Sequence, residues 1–254
     1  MIGQSGIVLY RGPSQITGAP IVAIATGLQA ARRQARAGVN AKTGAMVQVY
    51  ILAGGRDPVR AHASGADAAV CGDCLHRQGS CYVRLDRGPL VVWRAYQRGR
   101  YRQVSAQVAR AALAGLPVRL GAYGDPAAVP AAVWSVVLGQ VSAHTGYTHQ
   151  WRTCDPALAH WCMASCDTAE ETAQARAAGW RTFTVVPVGA ESGPDRAILC
   201  PASEQAGRLL HCVDCKACDG RAGGRTAHVW IPVHGVRHKQ ARFEQLITIG
   251  RTPC

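Results

Sequence analysis

Two stretches of this chain concentrate residues that bind metals or move protons. The first, "CGDCLHRQGSCY", begins at Cys71. It spaces Cys71, Cys74 and Cys81 as C-x2-C-x6-C and places His76 among them. The second, "CPASEQAGRLLHCVDCKAC", carries Cys200, Cys212, Cys215 and Cys218. Its C-x2-C-x2-C triplet lets successive thiolates turn onto one centre, and Cys200 supplies a fourth from a strand end. Four thiolates suit either tetrahedral Zn2+ or a [4Fe–4S] cluster. Three thiolates with an open position are the pattern of a centre that binds substrate. With His76 as a fourth ligand the first site would instead be a closed structural clasp. Among the other cysteines of the eleven, Cys154, Cys162 and Cys166 read mainly as core residues, and Cys254 as a free tail thiol.

The start, "MIGQSGIVLYRGPSQ", lacks the basic and apolar regions of a signal peptide. A reducing, cytoplasmic location is therefore expected, which weakens a disulfide reading of the cysteines. No apolar run reaches the roughly 18–20 residues of a membrane span, so no membrane partner is expected.

The 254 residues carry a net charge of +13. Only Lys42, Lys216 and Lys239 are lysines; the other basic residues are Arg. Codon bias from a GC-rich genome accounts for Arg over Lys, but the excess charge still favours a nucleic acid or nucleotide as partner. Arg77, Arg84, Arg94, Arg98, Arg100 and Arg102 crowd around the first cysteine loop, where they would make a positive rim. Trp151 offers a stacking face for a base, with a place in the core as the alternative.

These residues need a frame. Apolar runs at 45–55, 117–124, 144–149, 162–166, 180–188 and 228–235 read as strands. Helical patterns read at 57–65, 89–96, 103–115, 125–141, 155–161, 167–179 and 238–250. Residues 21–38 read as a strand entering a basic helix, or as one helix. The alternation means βα units, a parallel sheet and an α/β fold: a partial or complete (β/α) barrel with Cys-rich metal-binding loops. One domain is expected, with an N-terminal extension (1–40) and a barrel-like core (41–198). A Cys-rich segment, last strand and C-terminal helix complete it (199–254). Chemistry in such folds sits at the carboxyl ends of the strands. That rule selects Gly124 and Asp125, His149 and Trp151, and Ser165 to Asp167. Asp125 and Asp167 serve equally well as helix N-caps.

The pattern resembles radical-SAM enzymes, partial (β/α) barrels with a three-cysteine loop after an early strand and a Gly-Gly-Glu-Pro turn after a later one. "VYILAGG…CGDCLHRQGSCY" is similar to the first feature and "LGAYGDP" to the second. It is more similar still to a group of bacteriophage proteins with degenerate radical-SAM-like barrels. Their motifs appear here as "NAKTG" (40–44), "CY" (81–82), "RLGAYGD" (119–125) and "GYTH" (146–149). The loop spacing departs from the family's C-x3-C-x2-C, and Asp125 stands where the family has Glu. The resemblance implies that Cys71, Cys74 and Cys81 hold a site-differentiated [4Fe–4S] cluster. It implies that Gly124 and Asp125 orient S-adenosylmethionine, and that the C-terminal cysteines hold an auxiliary cluster. Asp125 and His149 are then the catalytic candidates of an enzyme modifying a nucleotide or nucleic acid, in the host cytoplasm if phage-encoded. The rival reading is a zinc-stabilised nucleic-acid-binding protein without catalysis.

Overall fold

Continuous apolar runs set the strands, because a strand covered on both faces needs no polar alternation. In "PIVAIAT" five successive positions are buried. The computed structural model describes residues 5–35, 39–207 and 209–249; Cys254 lies outside them. The chain opens with β1 (Gly6–Pro13), β2 (Pro20–Thr26), α1 (Leu28–Arg32) and β3 (Val47–Ala53). The first cysteine loop carries α2 (Pro58–Ala63) and α3 (Ala68–Cys71), and leads to α4 (Gly88–Gln97). Then come β4 (Arg102–Gln103), α5 (Ala106–Leu113), β5 (Pro117–Tyr123) and α6 (Ala131–Val137). β6 (Ala143–Thr145), β7 (Tyr147–Thr148), β8 (Met163–Cys166), α7 (Ala169–Ala177) and β9 (Thr182–Val186) follow. β10 (Ala197–Leu199), α8 (Cys212–Cys215), β11 (His228–Pro232) and α9 (Arg237–Ile249) close the chain.

The result is a mixed α/β fold with two sheets, ordered β4-β1-β2-β3-β5-β6 and β10-β11-β9-β8-β7. β3, β5 and β6 run parallel, and so does every neighbouring pair of the second sheet. Only Gly146 separates β6 from β7, so the chain passes there from one sheet to the other. A Cβ at Gly146 would lie 2.7 Å from Cys162 Sγ. The joint thus excludes any larger residue. β4 and β10 are outer edges, so the strands do not close into a complete barrel.

Three local readings change. The helix expected at 125–141 is broken into a 3-10 turn, Pro126–Ala128, and α6. Pro130 is the cause: it pushes the preceding Val129 into extended backbone (φ −103°, ψ 138°). The strand expected at 144–149 is split by the Gly146 joint. α7 is capped by Thr168, whose hydroxyl accepts from Glu171 N, and not by Asp167. Residues 6–26, outside the expected core, supply two antiparallel strands of the first sheet.

The main core lies against the first sheet and includes Trp134, whose indole N–H donates to Pro126 O at 2.9 Å. A second cluster packs Met163, Phe183, Val229 and Ile231 with Cys200 and Cys218. Arg181 anchors this half. Its buried guanidinium reaches the buried Asp219 at 2.6 Å and the carbonyls of Gly220, Ala217 and Ala227, the last two half-buried. Breaking a buried pair leaves an uncompensated charge. Arg181→Met should therefore lower the unfolding free energy by about 3–5 kcal/mol. An unchanged urea midpoint would refute this anchoring role.

Candidate metal centre

Each cysteine loop is held by contacts that need no metal. The first begins with α2, where Asp57 caps the helix by accepting from Val59 N and Arg60 N. α3 then ends on Cys71, and Gly72 turns at φ 57°. That positive φ favours glycine, and a Cβ there would lie 2.5 Å from the Gln150 amide and push it away. The far side is clamped by α9. Lys239 Nζ donates to Cys81 O at 2.5 Å, Arg242 Nε donates to Gln78 O at 2.9 Å, and the Phe243 ring stacks on His76 at 5.4 Å.

The second loop is docked on "NAKTG". Asn40 Oδ1 accepts from Lys42 N and Thr43 N, closing the turn. Cys212 N then donates to Lys42 O and Val213 N to Thr43 O. Gly44, at φ 69°, leaves a gap that Val213 fills; a Cβ would meet its Cγ1 at 2.8 Å. The backbone of Cys218 is fixed by Gly146 N donating to its carbonyl at 3.1 Å.

These loops and the carboxyl ends of β5 and β7 surround one cavity of about 590 Å³. Its lining includes Cys71, Cys74, Cys81, Gly124, Asp125, His149 and Cys212. Gly124, at φ 81°, packs on β3: a Cβ would lie 2.5 Å from Ile51 O. Asp125 is buried and joins three segments. Its N–H donates to Val70 O, Oδ1 accepts from Ala127 N, and Oδ2 accepts from His149 N at 2.8 Å. Burial raises its pKa against those hydrogen bonds.

All the sulfurs described are free thiols. Burial pushes Cys71 well up and Cys74 to about 11. Within the first group, ionising Cys74 or Cys81 would raise Cys71 further, and ionising Cys74 would raise Cys81. The same holds for every pair among Cys200, Cys212, Cys215 and Cys218. Burial also raises Cys200 and Cys212, while Lys42 pulls both down and Arg119 pulls Cys212 down. Among the described residues, however, no three sulfurs lie within 4.8 Å of one another. The one set that meets that limit is His76, His149 and Asp167.

Several expected roles move. His76 is not directed to the thiolates by its ring: Nδ1 meets Ser80 Oγ at 2.9 Å and Nε2 meets Asp167 Oδ1 at 3.1 Å. Trp151 is buried in the core with the Arg152 guanidinium 4.0 Å over its ring, so it offers no stacking face. Arg77 is tied inward to Asp67 at 2.6 Å and to Gly72 O at 2.7 Å. Arg84 pairs with Asp86 on the surface. Arg94, Arg98, Arg100 and Arg102 are exposed, Arg102 on the outermost strand of its sheet. None of these six lines the cavity. The cations that do line it are Lys42 and Arg119, to which the sequence assigned no role. Both stand in motifs already visible in the sequence, "NAKTG" and "RLGAYGD". The Lys239 and Arg242 clamp carries no such signal, because it comes from a helix over 150 residues away. No protein family, curated protein or solved structure matches the chain.

The Asp67–Arg77 pair braces the first loop. Burial alone would raise the Asp67 pKa; hydrogen bonds from Arg77 and His62 outweigh it and hold the carboxyl below its usual range. A depressed folded pKa contributes stability above the ordinary carboxylate value, lost as pH falls through the folded value. Arg77→Met should therefore cost about 3 kcal/mol at neutral pH, with the gap to wild type narrowing below about pH 4. A gap independent of pH, measured by chemical denaturation, would exclude Asp67 as the partner that matters.

Proposed function

We propose that this chain is an iron–sulfur enzyme of radical-SAM type, built on an open (β/α) barrel, that modifies a nucleotide or nucleic acid. One observation carries the reading. A single cavity is lined by all three cysteines of the first loop, by the Gly124–Asp125 turn, by His149 and by Cys212. The parallel pairing of β3, β5 and β6 in one sheet and of β7, β8, β9, β11 and β10 in the other supports the open barrel.

The sulfurs do not stand as close as the ligands of one zinc ion would. Ligands of one tetrahedral zinc stand about 3.8 Å apart. Cubane ligands stand about 6–7 Å apart. No three cysteine sulfurs among the described residues meet even a 4.8 Å limit, so neither group stands as a preformed zinc tetrahedron. Cys71, Cys74 and Cys81 would hold one cluster with one iron left open. Cys200, Cys212, Cys215 and Cys218 would hold a second, fully ligated.

When bound, the first cluster would supply an electron for reductive cleavage of S-adenosylmethionine. The chain's residues do the rest. Each Asp125 oxygen accepts one backbone N–H, the Thr148 side chain also bonds the carboxylate, and the remaining acceptor capacity would serve an ammonium group. Asp125 also fixes the backbone of His149, whose imidazole lines the cavity and can take or give a proton. Lys42 and Arg119 favour a phosphate-bearing ligand, and the volume suits a nucleotide. Phe183, Val185, Ile231 and Val233 form an apolar wall that keeps water from a reactive intermediate.

A second reading draws on the exposed Arg94, Arg98, Arg100 and Arg102, which lie apart from the cavity. It is zinc-stabilised nucleic-acid binding without catalysis. Anaerobic reconstitution with iron and sulfide separates the two. The enzyme reading expects a brown protein absorbing near 400 nm, with about four irons per centre. Cys71→Ala with Cys74→Ala should remove one centre, and Cys212→Ala with Cys215→Ala the other. Reduction with S-adenosylmethionine present should yield 5′-deoxyadenosine in wild type only if the first centre is intact. A colourless protein with stoichiometric zinc would establish the second reading. Its nucleic-acid binding should then lose up to about three units of salt slope on changing Arg98, Arg100 and Arg102 to Ala.

A further inference from the structure

His76, His149 and Asp167 form a cluster that takes no part in the proposed ligation of either thiolate centre. They come from three separate segments: the first cysteine loop, the residue after β7 and the residue after β8. Their ligand atoms nevertheless fall within 4.8 Å of one another. Two imidazoles and one carboxylate are the donor set of a mononuclear divalent metal with open positions.

The surroundings are those of such a site. Asp167 is buried, and its side chain faces His76 Nε2 at 3.1 Å and His149 Nε2 at 3.8 Å. Burial raises its pKa and the two histidines lower it; no Lys or Arg acts on it. His149 Nε2 is shut off from solvent and has no hydrogen-bond partner, since 3.8 Å is too long for one. An orphaned buried nitrogen is a cost that a metal ion would remove. Supporting contacts orient the ligands. Ser80 Oγ engages the other ring nitrogen of His76, as outer partners of metal-bound histidines do. Phe243 stacks on the same ring at an interplanar angle of 10°. The His149 backbone is held by Asp125, and Asp167 N donates to Glu171 Oε2 at 2.7 Å. His76 and His149 both line the cavity, so open positions would face its contents.

We propose that His76 Nε2, His149 Nε2 and an Asp167 oxygen bind a divalent transition metal, distinct from the thiolate centres and open to a ligand in the cavity. The donor set suits Mn2+, Fe2+, Co2+ or Zn2+. The proposal does not rest on iron–sulfur chemistry and stands if both cysteine groups take zinc.

Mn2+ is the discriminating probe, because it prefers carboxylate and imidazole over thiolate. Loss of the free-ion electron paramagnetic resonance signal should report one Mn2+ bound per chain. Electron spin-echo modulation of bound Mn2+ should show imidazole nitrogen couplings. His149→Ala or Asp167→Asn should weaken binding at least tenfold. Ser80→Ala, outside the donor set, should weaken it less, by up to about tenfold. The triple change Cys71→Ser, Cys74→Ser, Cys81→Ser should leave Mn2+ affinity within twofold. Absence of Mn2+ binding, or binding without nitrogen couplings, overturns the proposal on wild-type protein alone, whatever the variants' folding. Unchanged affinity in folded His149→Ala, checked by circular dichroism, overturns it as well.

Discussion

Asp125 is the contact on which the geometry of the cavity depends. It follows β5, its N–H reaches the Val70 carbonyl at the start of the first cysteine loop, and its carboxylate holds the backbone of His149 after β7. Three segments distant in sequence are thus fixed through one buried residue. The carboxylate has no Lys or Arg partner, and burial pushes its pKa up. Backbone N–H groups and His149 partly offset that shift. The same residue caps the short 3-10 turn at Pro126–Ala128. The cap and the functional role read from the sequence are therefore not alternatives. Capping is how the side chain is aimed.

Both cysteine groups are organised by the protein before any metal arrives. The first hangs between Asp67–Arg77 on one side and Lys239 and Arg242 on the other. The second rests on the "NAKTG" turn and on the Arg181 network. Cys200 and Cys218 belong to the second hydrophobic cluster with Met163 and Phe183. A neutral thiol packs as a small apolar side chain, so these residues serve as core in the metal-free chain. Zinc fingers differ, since their ligand loops have no core of their own and folding waits for the ion. In the proposed centres the cost of binding a metal would fall on deprotonating buried thiols, which Lys42 and Arg119 would reduce for Cys212 and Lys42 for Cys200.

Much of the frame was legible because it rests on local chemistry. The strands at β3, β5, β8, β9 and β11 follow apolar runs, and the α2 cap follows from Asp57-Pro58. The misread elements failed where a single residue outvoted a pattern. Pro130 broke an otherwise good helical run, and Gly146 turned one strand into two. β1 went unread although "GIVLY" is apolar, because the flanking glycines and Pro13 masked it as irregular. Of the site, the cysteines, His149 and Asp125 could be picked out by type and position. Trp151 could not be placed, because its neighbour Arg152 covers the ring and nothing local announces that. Asp167 looked like a cap because Asp precedes a helix with acidic first-turn residues. Thr168 took the cap, which left the carboxylate free to meet two histidines.

Charge shows most clearly how position overrides composition. The net charge of +13 points to a polyanion, but it does not say where. Arg77 is consumed by Asp67, Arg181 by Asp219, and Arg152 by Glu171 and the Trp151 ring. The arginines of α4 and β4 lie outside the cavity lining. What remains for a ligand in the cavity is Lys42 and Arg119, set opposite Asp125 chemistry and beside Cys212. Two positive groups in a confined, partly apolar space act on a phosphate more strongly than many on an open surface, where water and salt screen them. On the proposed reading, the exposed arginines would steer a polyanion towards the protein, and Lys42 with Arg119 would hold a phosphate in the cavity that His149 also lines.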